Sequence, residues 1–134
     1  MYRGSCLCGK ITYTVVRFGP LMAHCHCTDC RKFHGAAFST FGEAKCSEFE
    51  WLTGKDILKT FIAPNGSTRQ FCSHCGSSLT FQPANHRDIM EISVASLDGE
   101  HSLSPDAHVF CHSKVSWITL EDGLPKFASS RDNQ

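Results

Sequence analysis

Seven of the nine cysteines fall in three short clusters, at spacings typical of metal ligands. The stretch His24-Cys25-His26-Cys27-Thr28-Asp29-Cys30-Arg31 is the densest. It is bracketed by Cys6-Leu7-Cys8-Gly9 and by Cys72-Ser73-His74-Cys75-Gly76. Two residues between thiolates let one tight turn aim both sulfurs at a single ion, and a glycine after the second cysteine permits positive φ. Cys6-x-Cys8-Gly9 is a tighter version with the same trailing glycine. A closed zinc site needs two such halves, so Cys6, Cys8, Cys72 and Cys75 are natural mates. Cys72-x-x-Cys75 alone would also suit a redox pair or two buried thiols. A redox pair of that kind is expected near a βαβ pattern, which is missing here.

The central cluster is one thiolate short of a closed site. Cys25, Cys27 and Cys30 supply three ligands, and Arg31 stands where the outer clusters have glycine. Three protein ligands and one open position mark a catalytic-type zinc. Such an ion lowers the pKa of a coordinated thiol or water and polarises a carbonyl. The alternative is a second structural ion, closed by His24, His26 or His34. Cys46 and Cys111 stand apart from the clusters and are expected to be buried as small hydrophobes. His74, inside its turn, is expected to be a bystander or to support the ligands from behind.

These ligands need a scaffold, and the rest of the chain reads as short strands. A length of 134 residues suggests one domain, 1–134, loop-rich from about residue 100. In residues 10–18, Ile11, Tyr13 and Val15 fall on one face and Thr12, Thr14 and Val16 on the other. Further strands are expected at 21–25, 36–42, 46–52, 58–63, 68–72, 79–82 and 89–95, with Met90, Ile92 and Val94 on one face. Extended pieces are expected at 108–111 and 117–120. Thr28 suits the N-cap of a short helical turn through Phe33, ended by Gly35. Ten phenylalanines are expected to fill much of the core, with Phe38 and Phe41 as candidates. The class is therefore all-β, built of short antiparallel strands.

Composition excludes some partners. Thirteen basic residues balance thirteen acidic ones without long runs of either sign. That argues against nucleic acid and against a membrane surface, and no apolar run is long enough to span a bilayer. Met1-Tyr2-Arg3-Gly4-Ser5 leads straight into Cys6, so the expectation is a cytoplasmic protein. In a reducing compartment the cysteines are expected to hold metal or react, not to form disulfides.

Read together, these motifs carry a resemblance. Gly4-Ser5-Cys6-Leu7-Cys8-Gly9, then His24 to Arg31, then Arg69-Gln70-Phe71-Cys72-Ser73-His74-Cys75-Gly76-Ser77-Ser78-Leu79 are similar, in order, to the motifs of the glutathione-dependent formaldehyde-activating enzyme family. Pro105, His108-Val109-Phe110, Ser113-Lys114, Trp117 and Asp122-Gly123-Leu124-Pro125 look like that family's closing segment. The resemblance implies a small zinc-stabilised β-tent domain with two zinc ions. Cys6, Cys8, Cys72 and Cys75 would hold the structural ion, and Cys25, Cys27 and Cys30 the catalytic-type ion. The implied activity is that of a carbon–sulfur lyase, forming or cleaving S-(hydroxymethyl)glutathione or a related adduct. Its partners would be glutathione or another small thiol and a small aldehyde. Arg31, Lys32 and Arg69 beside the clusters, and Lys114 in the matching tail, would meet the carboxylates of glutathione. Two rivals remain from other classes: a non-catalytic, zinc-stabilised protein-interaction module and a cytosolic zinc or thiol buffer.

Overall fold

The structure is a computed structural model and describes residues 1–131. The chain forms two compact units, one of Met1–Pro20 with Gly42–Ser102, the other of Leu21–Phe41 with the chain from Leu103 onward.

The first unit is built on strands. β1 (Tyr2–Ser5), β2 (Thr12–Val15) and β5 (Phe49–Thr53) form a three-stranded sheet, in the order β1-β2-β5. β6 (Leu58–Ile62), β7 (Thr68–Cys72), β8 (Ser78–Gln82) and β9 (Ile89–Ser93) follow one another as an antiparallel meander. The alternation of residues 10–18 decides which face of β2 is buried. Ile11, Tyr13 and Val15 are fully buried, and so is Ile92 on the facing pattern of β9, beside Met90 and Val94. Burying such side chains contributes about 1.5–3 kcal/mol each. Gly4 makes this packing possible. It pairs with Tyr13 across β1–β2, and a Cβ there would lie 2.1 Å from the Tyr13 ring.

In the second unit, β3 (Met22–Cys25) pairs in parallel with β10 (Ala107–Val109). The register sets His108 beside His24 and Val109 beside Cys25. This parallel pair departs from the expected all-antiparallel pairing. It is possible because some eighty residues separate the two strands along the chain, far more than a hairpin needs. α1 (Thr28–His34) follows β3, with Gly35 as its C-cap. β4 (Ser39–Lys45) begins in the second unit and ends in the first.

Several expectations need correction. The helix cap is Cys27, not Thr28: the Cys27 side chain accepts the Cys30 N–H, so Thr28 becomes the first helical residue. Of the ten phenylalanines only Phe41 is buried, and Phe38 is half-buried. Aliphatic residues and Tyr13 form the core instead, while Phe61 points to solvent from β6. Residues 46–48 and 94–96 are 3-10 turns that shorten the strands expected there. Residues 117–120 form no strand.

Candidate metal centres

The outer clusters meet in the first unit. Cys72 ends β7, and the turn after it returns the chain to β8. In that turn the Gly76 N–H donates to the Cys72 carbonyl, with φ of 82° at Gly76. The Cys6 turn repeats the device. Gly9 N–H donates to the Cys6 carbonyl, with φ of 79° at Gly9. Leu7 N–H donates to Ser77 Oγ and ties the two turns together. The four sulfurs lie within 4.8 Å of one another. Cys6 and Cys8 Sγ are 3.5 Å apart, and Cys8 and Cys72 Sγ are 3.9 Å apart. A tetrahedral zinc with Zn–S of about 2.3 Å sets its sulfurs ~3.8 Å apart, so the donor set and its dimensions fit that ion.

Hydrogen bonds prepare these sulfurs for negative charge. The Ile11 N–H donates to Cys6 Sγ at 3.3 Å, and the Cys75 N–H donates to Cys72 Sγ at 3.4 Å. Burial works against ionisation of Cys75. Even so, hydrogen bonds from the Ser77 hydroxyl and backbone bring that thiol down to about 5. At Cys8 the Lys10 backbone favours the thiolate, but burial and the neighbouring sulfurs prevail and push it up to about 11. A cation among the four sulfurs would relieve that repulsion and favour the thiolate at each of them.

The central cluster lies in the second unit. Cys25 ends β3, Cys27 caps α1, and Cys30 sits in its first turn. Their ligand atoms lie within 4.8 Å of one another, and among the described residues this group has three members. Cys30 is buried, and the other two are half-buried. The neighbouring thiols Cys27 and Cys30 raise Cys25 far above the ordinary thiol range, and burial adds to the effect. Cys30 is lowered by Cys25, but Cys27 and burial win and its pKa is raised.

Among the described residues, none of the histidines named as closing ligands joins the sulfur group within that distance. His26 Nε2 lies 2.8 Å from His108 Nδ1, and His108 Nε2 lies 2.7 Å from an Asp122 carboxylate oxygen. His24 Nδ1 lies 2.8 Å from Thr40 Oγ1. His34 packs edge-on against Phe33 and Phe41. Burial and then the neighbouring His108 lower the pKa of His26 to about 4, so it is neutral near pH 7. His108 and Asp122 gave no ligand signal in the sequence. They are fourteen residues apart, and only the parallel pairing of β10 with β3 brings them to this place.

The basic residues are dispersed. Arg31 follows Cys30 on α1, and its Nε is buried without a hydrogen-bond partner among the described residues. Lys32 is exposed on the same helix. Lys114 Nζ donates to the carbonyls of Val115 and Ile118. Arg69 belongs to the first unit, buried on β7 with its guanidinium 4.6 Å from the Phe81 ring centre. His74 is exposed in its turn. Cys46 and Cys111 are half-buried, not fully buried; Cys46 packs against the core and accepts from Gln82 Nε2.

The family model described as glutathione-dependent formaldehyde-activating enzyme matches residues 1–113. The chain belongs to that family. It is 26% identical over 108 residues to an uncharacterized lyase of Schizosaccharomyces pombe, covering 81% of this chain and 77% of the relative. It is 25% identical over 128 residues to a Halomonas elongata protein provisionally named a glutathione-dependent formaldehyde-activating enzyme, covering 90% of this chain and 82% of that one. A crystal structure of a Rhodobacter sphaeroides protein shares the fold, with a TM-score of 0.64 at 22% identity, over 75% of this chain and 91% of that chain. Membership of the glutathione-dependent formaldehyde-activating family agrees with the mainly β fold and with cysteine clusters able to hold metal. No helix among the described residues is long and apolar enough to cross a membrane.

Proposed function

We propose that this protein is a zinc-dependent carbon–sulfur lyase that forms or cleaves S-(hydroxymethyl)glutathione or a related thiol–aldehyde adduct. The observation that carries the reading is the three-membered sulfur group of Cys25, Cys27 and Cys30, beside a four-membered one. The four-membered group, Cys6, Cys8, Cys72 and Cys75, is assigned to a structural zinc. The three-membered group is assigned to a second zinc with one position left for a substrate. When bound there, zinc would favour the thiolate form of a thiol offered to the open position.

The chain's own residues supply the rest. Cys27 and Cys30 are set by the first turn of α1, so the sulfurs are presented by a rigid element. Arg31, on the next position of that helix, has a buried guanidinium N–H without a partner. Leaving a charged donor so costs free energy unless a ligand satisfies it, and a carboxylate of glutathione suits it. Lys32, exposed nearby on α1, is the second candidate for the same substrate. Arg31 has one weak bond of its own, Nη2 to Thr28 Oγ1 at 3.4 Å, while Arg69 on the Phe81 ring and Lys114 on two carbonyls take lower places in this assignment. In the forming direction the thiol sulfur bonds to the aldehyde carbon, and the thiol proton ends on the former carbonyl oxygen. Cleavage is the reverse.

Exchange NMR of glutathione with formaldehyde tests this reading. Zinc-loaded protein should speed interconversion of free glutathione and its hydroxymethyl adduct. An unchanged exchange rate at protein concentrations approaching that of glutathione refutes it.

A further inference from the structure

We propose that His24, His108 and Asp122 form a third metal site, which takes a divalent transition ion through two imidazoles and a carboxylate. The three side chains each bring one ligand atom to within 4.8 Å of the others. They come from β3, from β10 and from the loop that follows it. The register of the parallel pair sets His24 and His108 side by side, with ring centres 4.7 Å apart.

Each imidazole has one nitrogen tethered. His24 Nδ1 is held by Thr40 Oγ1, which leaves Nε2 without a hydrogen-bond partner among the described residues. His108 Nδ1 is held by His26 Nε2, and its Nε2 faces the Asp122 carboxylate. This is how protein ligands are prepared: a partner on one ring nitrogen fixes the tautomer and aims the other at the ion. His26 is suited to the supporting role. It is fully buried, and its Nδ1 has no partner among the described residues. With its proton on Nδ1, His26 accepts at Nε2 from the His108 Nδ1–H, and His108 then presents a lone pair at Nε2. Asp122 is exposed, which leaves the site open to solvent on that side.

The site is separate from the sulfur group next to it in sequence. His24 and Cys25 are consecutive on β3, and consecutive strand residues project to opposite faces. The two ligand groups share no member. Two imidazoles and one carboxylate favour zinc, cobalt, nickel or ferrous iron over calcium or magnesium. A purely structural role for the network is the competing explanation, and metal uptake separates the two.

The experiment titrates cobalt(II) chloride into full-length protein whose sulfur sites are already loaded with zinc. One further cobalt per chain is expected, with ligand-field absorption but no thiolate-to-cobalt charge-transfer band and no zinc release. Asp122→Asn and His24→Gln should each weaken that uptake about tenfold or more, while zinc at the sulfur sites stays in place. Asp122→Asn replaces an exposed side chain and serves if His24→Gln fails to fold. Cobalt uptake only with charge transfer and zinc release would overturn the proposal. So would uptake that Asp122→Asn leaves unchanged. Neither readout depends on lyase activity.

Discussion

Replacing Cys72 and Cys27 by serine separates the two sulfur groups most sharply. Cys72 is fully buried in the core beside Ile11, Tyr13 and Leu79, and its sulfur lies 3.9 Å from that of Cys8. Structural zinc contributes about 10–16 kcal/mol in small zinc-folded peptides. One ligand in four carries about 2.5–4 kcal/mol if the affinity divides evenly, and more if three thiolates cannot keep the ion. Net stability of a domain is only about 5–15 kcal/mol, so Cys72→Ser should unfold much of the protein or lower Tm by about 10 °C or more. Cys27 is different. Its side chain caps α1 by accepting the Cys30 N–H, and serine is among the best residues at that position. Cys27→Ser should therefore stay within about 1 kcal/mol of the parent while losing the second metal. Thermal unfolding followed by circular dichroism, with zinc measured on the same samples, reads both effects. Equal losses of Tm in the two variants would refute the division of roles, as would a Cys72→Ser protein that keeps two zinc ions.

Other expectations follow from the packing and the ligands. Gly4→Ala drives a methyl into the Tyr13 ring, where a Cβ would sit 2.1 Å from the nearest atom. It should cost about 1–3 kcal/mol or more in denaturant unfolding. Burial holds the Tyr13 hydroxyl protonated up to about 12, against an ordinary value of 10.0, although its bond to Ser96 acts the other way. The unfolded chain loses that proton first, so this stabilisation is present below pH 10 and fades as pH rises toward 12. Tyr13→Phe should be about 1 kcal/mol less stable near pH 8, where it lacks the Ser96 bond. Above pH 10 the parent should lose ~1.4 kcal/mol per pH unit relative to the variant, because its unfolded chain ionises Tyr13 first, so the difference should vanish and then reverse before pH 12. Chelation of both ions should lower Tm far more in the parent than in Cys72→Ser, whose outer site is already disabled.

The parts of the fold legible in the sequence are those set by local pattern. Ile11, Tyr13 and Val15 are buried because a strand alternates faces, and that period is visible in any such run. The pairing of Cys6-x-Cys8 with Cys72-x-x-Cys75 was readable because both halves end in a glycine that takes positive φ. β1 was not foreseen, since four residues containing a glycine carry almost no strand signal until Tyr13 is seen lying over Gly4. The helix start was misplaced by one residue because a cysteine sulfur does the work usually given to a hydroxyl. The phenylalanines misled because aromatic content says nothing about facing, and Phe61 lies on the outermost strand of its meander. His108 and Asp122 could not be found by spacing, because their meeting with His24 and His26 depends on a long-range parallel pairing.

If the proposed reading is right, the sulfur group of Cys25, Cys27 and Cys30 is what lets the protein act on thiol–aldehyde adducts. Glutathione–formaldehyde exchange NMR, run side by side on the parent and on Cys27→Ser with its outer zinc retained, tests it most directly. The parent should accelerate exchange, and the variant should leave it at the uncatalysed rate. Equal acceleration by both proteins, or none by either, would contradict it.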